Sequence, residues 1–533
     1  MKNLLDTMRK IVATLLLALT VLSPAALMAQ DGWVVRGDCT PAPVDDGSPA
    51  ARRGPVRRLP AVSKDWNPMK SYRQLVVLFS FSDTDFKMAK PLETYDSIFN
   101  EPGYNQRNGA GCVADYFRAQ SGGMLNLQFD VYGPYKVSSK AQPYESPDAN
   151  TRNYGREQMR EAAQMLLEEH PELDYTVYDW NGDGNVNQVI YVYAGLSGNE
   201  NRERCYGHIW PNTSSFTTLT TPGGKRISNY TASAELWSDG SSCGLGTICH
   251  EFTHSLGLPD IYPTFGSVVS CLDEWDLMDG GNFTNYGWCP PNYTPLEKML
   301  LGWLEPVELI GPASIEGMKT VDQGGEVYRI SHTEDEYYLL ENRQWDGWDA
   351  GLPGRGLVVY HVNYADTRWS NNTVNISTIK PGFTIVCADN LSYDEWANRL
   401  LSSGVTTQNA LYQNPQRMNS KIMSTAAYPW TTDSTDFVNN QLTDVSVPAA
   451  KMFNNNAENS KLLSKTLTNI KVSDDGLVSF DFMGGTSVTV GVRALPSGGS
   501  PAYYDLSGCR RSAPPAKGIV VIRQADGTVR KQF

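Results

Sequence analysis

The sequence predicts three consecutive parts: an α/β domain, a β-rich domain of sandwich type and a small β unit at the carboxyl end. Helical and strand-like segments alternate between residues 71 and 306. From 307 to 486, short runs of β-branched and aromatic residues are separated by Asn, Gly and Pro, a pattern typical of all-β domains. Turn signals also divide the strand-like runs of residues 487–533, the predicted C-terminal unit.

Within the α/β domain, the apolar pattern predicts the elements in order. A buried strand is predicted at Leu75–Phe81, followed by helices at Val113–Gln120 and Tyr154–Glu169. A polar turn then leads into a second buried strand at Val186–Tyr193.

Composition limits the classes of partner. The chain has 533 residues, 41% of them hydrophobic, which is enough for two or three globular domains. Its formal net charge is −13 and its pI is near 5.1. Nucleic acids and anionic membrane surfaces repel such a chain, so we predict neither as a partner.

The first 29 residues have the pattern of a signal peptide. Lys2, Arg9 and Lys10 precede an apolar run from residue 11 to 22, and small residues follow up to Ala29. The run is too short to span a bilayer. We therefore expect cleavage after Ala29 and export through the periplasm, giving a protein that is secreted or held at the cell surface.

Residues 30–70 are predicted to be a propeptide or linker. They are rich in Pro, Arg and Asp and show no sustained periodicity. The basic run "RRGPVRR", Arg52 to Arg58, is the expected processing site, because exposed Pro/Arg/Gly chain is readily cleaved.

The segment "CHEFTHSLGLPDIY", residues 249–262, carries the clearest chemical signal. His250 and His254 are four residues apart within a helical pattern, which places both imidazoles on one face. Glu251 lies beside them, completing the H-E-x-x-H arrangement of a zinc site with a general-base glutamate. The apolar residues that predict the helix recur at three- and four-residue intervals: Leu245, Ile248, Phe252 and Leu256.

A catalytic zinc requires a third protein ligand and one open position. Gly257 is predicted to end the helix in a left-handed conformation, and Pro259 cannot continue it, so the chain turns back. Asp260, six residues after His254, is therefore the predicted third ligand. The alternative interpretation is a surface helix with two solvated histidines.

Three further patterns have two open interpretations each. Met278, in "EWDLMDGG", either forms a floor of the metal site or fills the core. His208 and His361 are lone histidines in aromatic surroundings, either structural or ligating, and we predict structural roles.

The segment "DWNGDG" predicts a partial calcium loop. Asp179, Asn181 and Asp183 occupy alternate positions and Gly184 follows. The twelfth position is Ile190 rather than Glu, so a complete helix-loop-helix site is absent. An Asn/Gly turn before a buried strand is the alternative.

The nine cysteines predict disulfides, because an exported protein can form them. We expect one or two bridges around the metal helix. A further cysteine, Cys39, either caps the zinc in the precursor or is a free or disulfide-bonded thiol. The five cysteines near the helix are Cys205, Cys243, Cys249, Cys271 and Cys289.

Several segments together resemble the immune inhibitor A-like family of secreted zinc metallopeptidases, a metzincin-type group. The resemblance covers about residues 71–485. Besides the metal helix, the segments are "VADYFRAQSGG", "GHIWPNT", "EWDLMDGGNF", "PLEKMLLGWLEP", "YYLLENRQWDGWDAGLPGRGLVVYHV" and "GLVSFDFMGG".

The resemblance implies a metzincin-like zinc protease catalytic domain at 71–306. It also implies zinc ligation by His250, His254 and Asp260, catalysis by Glu251, and a Met-turn. Met278 is the residue at the Met-turn position. No tyrosine follows Met278 by two residues, where some metzincins stabilise the transition state, and Tyr286 is a candidate substitute.

The C-terminal unit resembles sorting tails of type IX secretion substrates. The resemblance rests on "YYDLSGCRR" and "KGIVVIRQADGTVRK". It implies that residues 487–533 engage secretion machinery. A terminal β-hairpin completing the preceding domain is the alternative.

These observations predict a monomeric secreted zinc endopeptidase that hydrolyses extracellular proteins or peptides. Zinc would activate water, and Glu251 would act as general base. Two alternatives are open: a catalytically silent binding or adhesion protein on a protease scaffold, and a hydrolase of non-peptide amides. The complete His-Glu-His-Asp set argues against the silent scaffold.

Overall fold

The structure is a computed structural model of the chain. The predicted signal peptide, propeptide, processing site at Arg52–Arg58, Cys39 and Cys271 lie outside the described residues. The residues that it describes are 71–142, 152–200, 203–264, 272–377, 379–391, 395, 423–431 and 438–486, with short strands between 490 and 532.

Six helices and twenty strands are described, joined by turns and short 3₁₀ segments. The helices are α1 (Pro91–Asn100), α2 (Val113–Gln120), α3 (Arg156–Glu169), α4 (Gly246–Ser255), α5 (Pro295–Leu300) and α6 (Asp366–Ser370). The strands up to residue 306 are β1 (Ser71–Ser80), β2 (Asn126–Lys136), β3 (Val189–Leu196), β4 (Asn212–Thr220) and β5 (Arg226–Leu236). The next strands are β6 (Val307–Leu309), β7 (Ala313–Met318), β8 (Tyr328–Ser331), β9 (Glu336–Arg343), β10 (Gly356–Asn363), β11 (Phe383–Ile385), β12 (Trp430–Thr431), β13 (Val438–Asn439), β14 (Leu467–Val472) and β15 (Val478–Phe482). The last are β16 (Val490–Gly491), β17 (Ala502–Tyr504), β18 (Arg510–Arg511), β19 (Val520–Arg523) and β20 (Val529–Gln532).

The first five strands form one mixed sheet in the order β2-β1-β3-β5-β4. The pairs β1/β2, β1/β3 and β3/β5 are parallel, and β4 runs antiparallel to β5 at one edge. β1 and β3 are almost continuously apolar because both of their faces are covered. Helix α4, which carries the H-E-x-x-H residues, contacts β5 and β4.

Most of these elements agree with the sequence prediction. Helix α2 has the predicted bounds, and α3 begins two residues later than expected. Strand β3 begins at Val189 rather than Val186. The preceding residues are held by the polar turn: the Asn187 backbone N–H donates to the Tyr178 carbonyl, and its side-chain oxygen accepts from the Trp180 N–H.

Two larger sheets and the two-stranded β12-β13 pair form the β-rich part. One has the order β11-β10-β9-β8-β6-β16, and the other the order β14-β15-β7. Their apolar side chains, including Leu340, Val359 and Phe480, meet in one core, consistent with a sandwich-type arrangement.

The packing is continuous across the domain boundary predicted at residue 306. Side chains alternate between the two faces of β9 and β10, so Leu340 and Val359 point into the second core. Leu339 and Tyr360 point the other way and belong to the same core as Met278. The middle of the six-stranded sheet is therefore shared by both parts.

A buried ion pair reinforces this junction. Arg343, at the end of β9, is 1% exposed and donates two hydrogen bonds of 2.6 Å to Asp349. It also donates to the Tyr360 hydroxyl at 3.0 Å and to the Trp275 carbonyl at 3.5 Å. Arg343 thus connects β9 to Trp275, which lies three residues before Met278 in the predicted Met-turn.

The C-terminal strands form a four-stranded sheet in the order β18-β17-β19-β20. The sequence predicted strand-like runs at Tyr503–Leu506, Gly518–Arg523 and Thr528–Lys531, and β17, β19 and β20 overlap them. Among the described helices, none combines the length and apolar character needed to cross a membrane.

Candidate metal centre

Helix α4 is buried from Gly246 to His254. Its start packs closely on the segment that follows the predicted Met-turn: a Cβ at Gly246 would lie 2.1 Å from the Asn282 carbonyl oxygen. Its end is a turn at Gly257, whose φ of +101° suits glycine. The predicted chain reversal after the second histidine is therefore present.

Both histidines donate Nδ1–H to backbone carbonyls. His250 Nδ1 lies 2.8 Å from the Leu277 carbonyl oxygen, and His254 Nδ1 lies 2.8 Å from that of Leu258. A carbonyl only accepts, so each Nδ1 must carry the proton. The Nε2 atoms are then directed away from the backbone, which is the orientation of a histidine that ligates a metal.

Asp260 lies opposite both imidazoles. Its Oδ1 is 3.3 Å from His250 Nε2 and 3.2 Å from His254 Nε2. All three side chains are at least 95% buried. Burial disfavours the Asp260 carboxylate, but the two histidines outweigh this effect and hold its pKa far below the usual range. Burial likewise lowers the pKa of His254, yet Asp260 raises it to about 9. The cluster thus stabilises positive charge at its centre.

This donor set fits a zinc ion. The three ligand atoms lie within 4.8 Å of one another. Tetrahedral ligands at about 2.0–2.1 Å from zinc are themselves about 3.3 Å apart, close to the two observed separations. Four buried atoms here have no hydrogen-bond partner among the described residues: His250 Nε2, His254 Nε2, Asp260 Oδ1 and Glu251 Oε1. Bound zinc would satisfy the first three.

Glu251 is fully buried and accepts from β4. The Thr213 hydroxyl lies 3.0 Å from Glu251 Oε2 and 2.6 Å from the Glu251 carbonyl oxygen. Burial raises the pKa of Glu251 to about 7, although both histidines act in the opposite direction. A carboxyl in this condition can exchange a proton near neutral pH.

The segment around Met278 passes beside the ligands. Leu277 supplies the carbonyl that accepts from His250, and the Met278 carbonyl accepts from the Ile261 N–H at 2.8 Å. Met278 itself is fully buried in the core. The turn therefore contacts His250 directly and the Asp260 segment through Ile261.

The calcium prediction is not supported. Lys225 Nζ lies 2.7 Å from Asp179 Oδ2, where a cation would bind. Asp179 also accepts from the backbone N–H groups of Asp183 and Gly184. The loop that contains Asn181 is thus an Asx-type turn whose central carboxylate is paired with a lysine.

The disulfide prediction is wrong for the part of the chain that the structure describes. Cys112, Cys243, Cys249, Cys289 and Cys387 are buried thiols without a disulfide. They pack as small apolar side chains, and burial raises the pKa of the Cys289 thiol to about 12.

The two lone histidines lie outside the metal cluster. His361 Nε2 lies 2.8 Å from Glu336 Oε1, and both side chains are buried. Burial lowers the pKa of His208 to about 4, so it is neutral at physiological pH.

Sequence reasoning missed three residues around the site. Thr213 contacts Glu251, Asn372 contacts Asp260, and the Tyr262 ring stacks on His250 with centroids 6.5 Å apart. The described contacts of the candidate Tyr286 are instead with Trp237 and Arg107. Of the three, only Tyr262 could have been found from the sequence, because it lies two residues after Asp260.

Comparison with known proteins places this site in a recognised type of domain. Residues 82–298 match the family model described as the catalytic domain of immune inhibitor A peptidase M6. All three candidate ligands and Glu251 lie within this range.

Two curated proteins are similar over part of their length. The pre-pro-metalloprotease PrtV of Vibrio cholerae serotype O1 (strain ATCC 39315 / El Tor Inaba N16961) is 26% identical over 221 residues, covering 36% of this chain and 24% of PrtV. Immune inhibitor A of Bacillus thuringiensis subsp. alesti is 26% identical over 306 residues, covering 47% of this chain and 44% of that protein. The chain thus spans less than half the length of these relatives. The family match and the relatives together show that residues 82–298 resemble a peptidase M6 catalytic domain.

Proposed function

We propose that this chain is a zinc-dependent endopeptidase that hydrolyses extracellular proteins. One observation carries the proposal: two histidine nitrogens and one carboxylate oxygen converge in a buried cluster, with a buried carboxyl group beside them. Such a cluster is costly for the fold unless a cation binds there.

His250, His254 and Asp260 would hold the zinc. Two neutral imidazoles and one carboxylate leave a bound Zn²⁺ with net positive charge. When bound, zinc lowers the pKa of water to about 7 and polarises a substrate carbonyl.

Glu251 would move the proton. Its Oε1 has no partner among the described residues and is available to accept a proton from the attacking water. Thr213 contacts the other carboxyl oxygen and limits its rotation. The same Glu251 oxygen would then return the proton to the leaving amine nitrogen as the amide bond breaks. No covalent intermediate with the protein is required.

The position of β4 supports a peptide substrate. Thr213 belongs to β4, which forms one edge of the five-stranded sheet within the described residues. An edge strand can pair with an extended peptide through backbone hydrogen bonds. A peptide bound in this way would run alongside the strand that contacts Glu251.

Export and sorting belong to the same proposal. We propose that the N-terminal signal directs export through the periplasm, and that the C-terminal sheet of β17–β20 engages secretion machinery. The motifs in residues 1–29 and 487–533 support this.

A peptide-library digest tests the proposed activity. Purified protein should cleave internal peptide bonds, lose this activity with a zinc chelator and regain it when zinc is restored. Cleavage that persists after complete zinc removal would refute zinc dependence. A zinc-loaded protein that cleaves no peptide or protein would refute the endopeptidase assignment.

A further inference from the structure

Asn372 and Asp260 form a reciprocal pair of hydrogen bonds. The Asn372 Nδ2 group donates to Asp260 Oδ2 at 2.7 Å, and the Asp260 backbone N–H donates to Asn372 Oδ1 at 2.7 Å. Both residues are buried, Asp260 fully and Asn372 with 3% exposure. Each bond is therefore shielded from water, where its loss would leave an unpaired polar group.

The two oxygens of the Asp260 carboxylate have different partners. Asn372 binds Oδ2, whereas Oδ1 lies 3.2–3.3 Å from the two histidine Nε2 atoms. Rotation of the carboxyl group about its axis would break the bond to Asn372. The amide therefore fixes which oxygen is directed at the metal position.

Few side chains other than asparagine can make both contacts. A backbone N–H can only donate and an ionised carboxylate can only accept, so the partner must offer an acceptor and a donor at once. A carboxylate at residue 372 would offer two acceptors, and an apolar side chain would offer neither. The Asn372 amide must therefore direct its Nδ2 at the Asp260 carboxylate and its Oδ1 at the Asp260 N–H.

Asn372 is itself held in place. Its φ of +55° is a left-handed conformation that asparagine tolerates better than most residues. The Thr264 hydroxyl donates to the Asn372 carbonyl at 2.6 Å. Asn375, three residues later, donates to the Ile261 carbonyl at 2.8 Å and to the Phe383 carbonyl at 2.7 Å. The segment thus binds the chain that follows Asp260 at Ile261 and Thr264, in addition to its contact with the carboxylate.

Asn372 lies in the β-rich part of the chain, far from Asp260 in sequence. It lies 112 residues after Asp260 and beyond the 82–298 range that matches the catalytic-domain family. It follows helix α6, between strands β10 and β11. The β-rich part therefore reaches into the metal centre.

We propose that Asn372 is a positioning residue for the metal ligand Asp260, and that the β-rich part completes the metal site. The inference rests on the proposed function, in which Asp260 ligates zinc. Outer-shell partners of metal ligands typically contribute about 10–100-fold to metal affinity. Loss of the Asn372 amide should weaken zinc binding by an amount in that range.

The test uses Asn372→Gly in the full-length protein. Glycine adopts the positive φ without strain, so only the side chain is lost. Asn390→Gly is the matched control, because Asn390 also has a left-handed conformation, at φ +58°, but an exposed side chain. Zinc affinity of the metal-free proteins is measured by competition with a chromophoric chelator. We expect a roughly 10–100-fold loss for Asn372→Gly and no change for Asn390→Gly.

A second variant and a spectrum separate positioning from general destabilisation. Asn372→Ala also lacks the amide but strains the left-handed backbone, so its metal-free form should be less stable than that of Asn372→Gly. Equal losses of zinc affinity in the two variants, despite this difference in stability, support the proposal. The visible absorption of bound Co²⁺ should also change in Asn372→Gly and not in Asn390→Gly, because the carboxylate ligand is no longer fixed.

Two outcomes distinguish this inference from the proposed function. Wild-type zinc affinity and an unchanged Co²⁺ spectrum in folded Asn372→Gly would overturn the positioning role and leave the endopeptidase proposal intact. Tight zinc binding by the wild type without peptide hydrolysis, together with weakened binding in Asn372→Gly, would overturn the endopeptidase proposal alone.

Discussion

Asp276 and Glu297 are two fully buried acidic side chains that interact with each other. Burial, reinforced by the neighbouring Glu297, holds the pKa of Asp276 well above its usual range. Burial raises the pKa of Glu297 to about 6. These shifts favour the protonated form of Asp276, which can donate that proton to Glu297. Asp276 Oδ1 also accepts from the Met278 N–H, so this proton contributes to holding the turn.

The shared proton predicts a pH dependence of stability. Because the folded pKa of both acids is raised, the folded state binds more protons than the unfolded state, and the stabilisation is lost as pH rises. For Asp276 the loss begins above about pH 3.8, its unfolded pKa. For Glu297 it begins above about pH 4.5, its unfolded pKa, and continues through about pH 6, its folded pKa.

Glu297→Gln should reduce this loss, since its amide can donate to Asp276 without requiring a proton. Between about pH 5 and about pH 9, the variant should gain roughly 1–2 kcal/mol in the free energy of unfolding relative to wild type. Urea unfolding of the metal-free proteins measures this difference. A difference that is constant across this pH range would contradict the shared proton.

Asp260→Ala should abolish stoichiometric zinc binding, because two histidines alone hold the ion weakly. Metal analysis after dialysis should show zinc falling from about one ion per chain to near zero. Asp474→Ala, at an exposed position, serves as control and should retain its zinc. Full zinc content in Asp260→Ala would indicate a different third ligand.

Arg343→Met should destabilise the protein by about 3–5 kcal/mol, because it leaves the Asp349 carboxylate buried without its partner. The double variant Arg343→Met/Asp349→Asn should recover part of this loss, since it removes the unpaired charge. Denaturant unfolding measures both. Equal stability of Arg343→Met and wild type would show that the pair does not secure the junction of the two cores.

The H-E-x-x-H helix and its proximity to Asp260 were predictable from the sequence, whereas the residues that contact them were not. His250, Glu251, His254 and Asp260 lie within eleven residues, so their spacing encodes their geometry. Asn372 lies 112 residues further along the chain than Asp260, and a single asparagine in a loop gives no periodic signal. The roles of the Leu258 and Leu277 carbonyls likewise could not be predicted from the sequence, because every residue has a backbone carbonyl.

In the predicted calcium loop, a local sequence motif indicated a metal site that the structure does not support. A D-x-N-x-D-G run has the same local pattern whether its carboxylates bind a cation or cap a turn. Here the outcome depends on Lys225, which lies 46 residues after Asp179 and pairs with it from the next hairpin. The disulfide prediction failed for the described cysteines, because spacing along the chain does not show whether a buried cysteine is bonded or free.

Removal of residues 492–533 should leave peptidase activity unchanged and trap the protein in the periplasm. This deletion removes β17–β20 but keeps β16, which pairs with β6 at Leu309. Cell fractionation locates the protein, and peptide cleavage by the purified variant reports activity. Normal delivery of the truncated protein to the surface or medium would refute the sorting role of the tail.

We propose that Glu251 acts as the base beside a zinc held by its neighbours, and the variant Glu251→Gln tests this role. Zinc content and peptide hydrolysis are measured on the same preparation, with Glu458→Gln, at an exposed position, as control. We predict that Glu251→Gln keeps about one zinc per chain and that kcat/KM falls roughly 10²–10⁴-fold, while the control matches wild type. Near-wild-type hydrolysis by zinc-loaded Glu251→Gln would show that Glu251 is not the base.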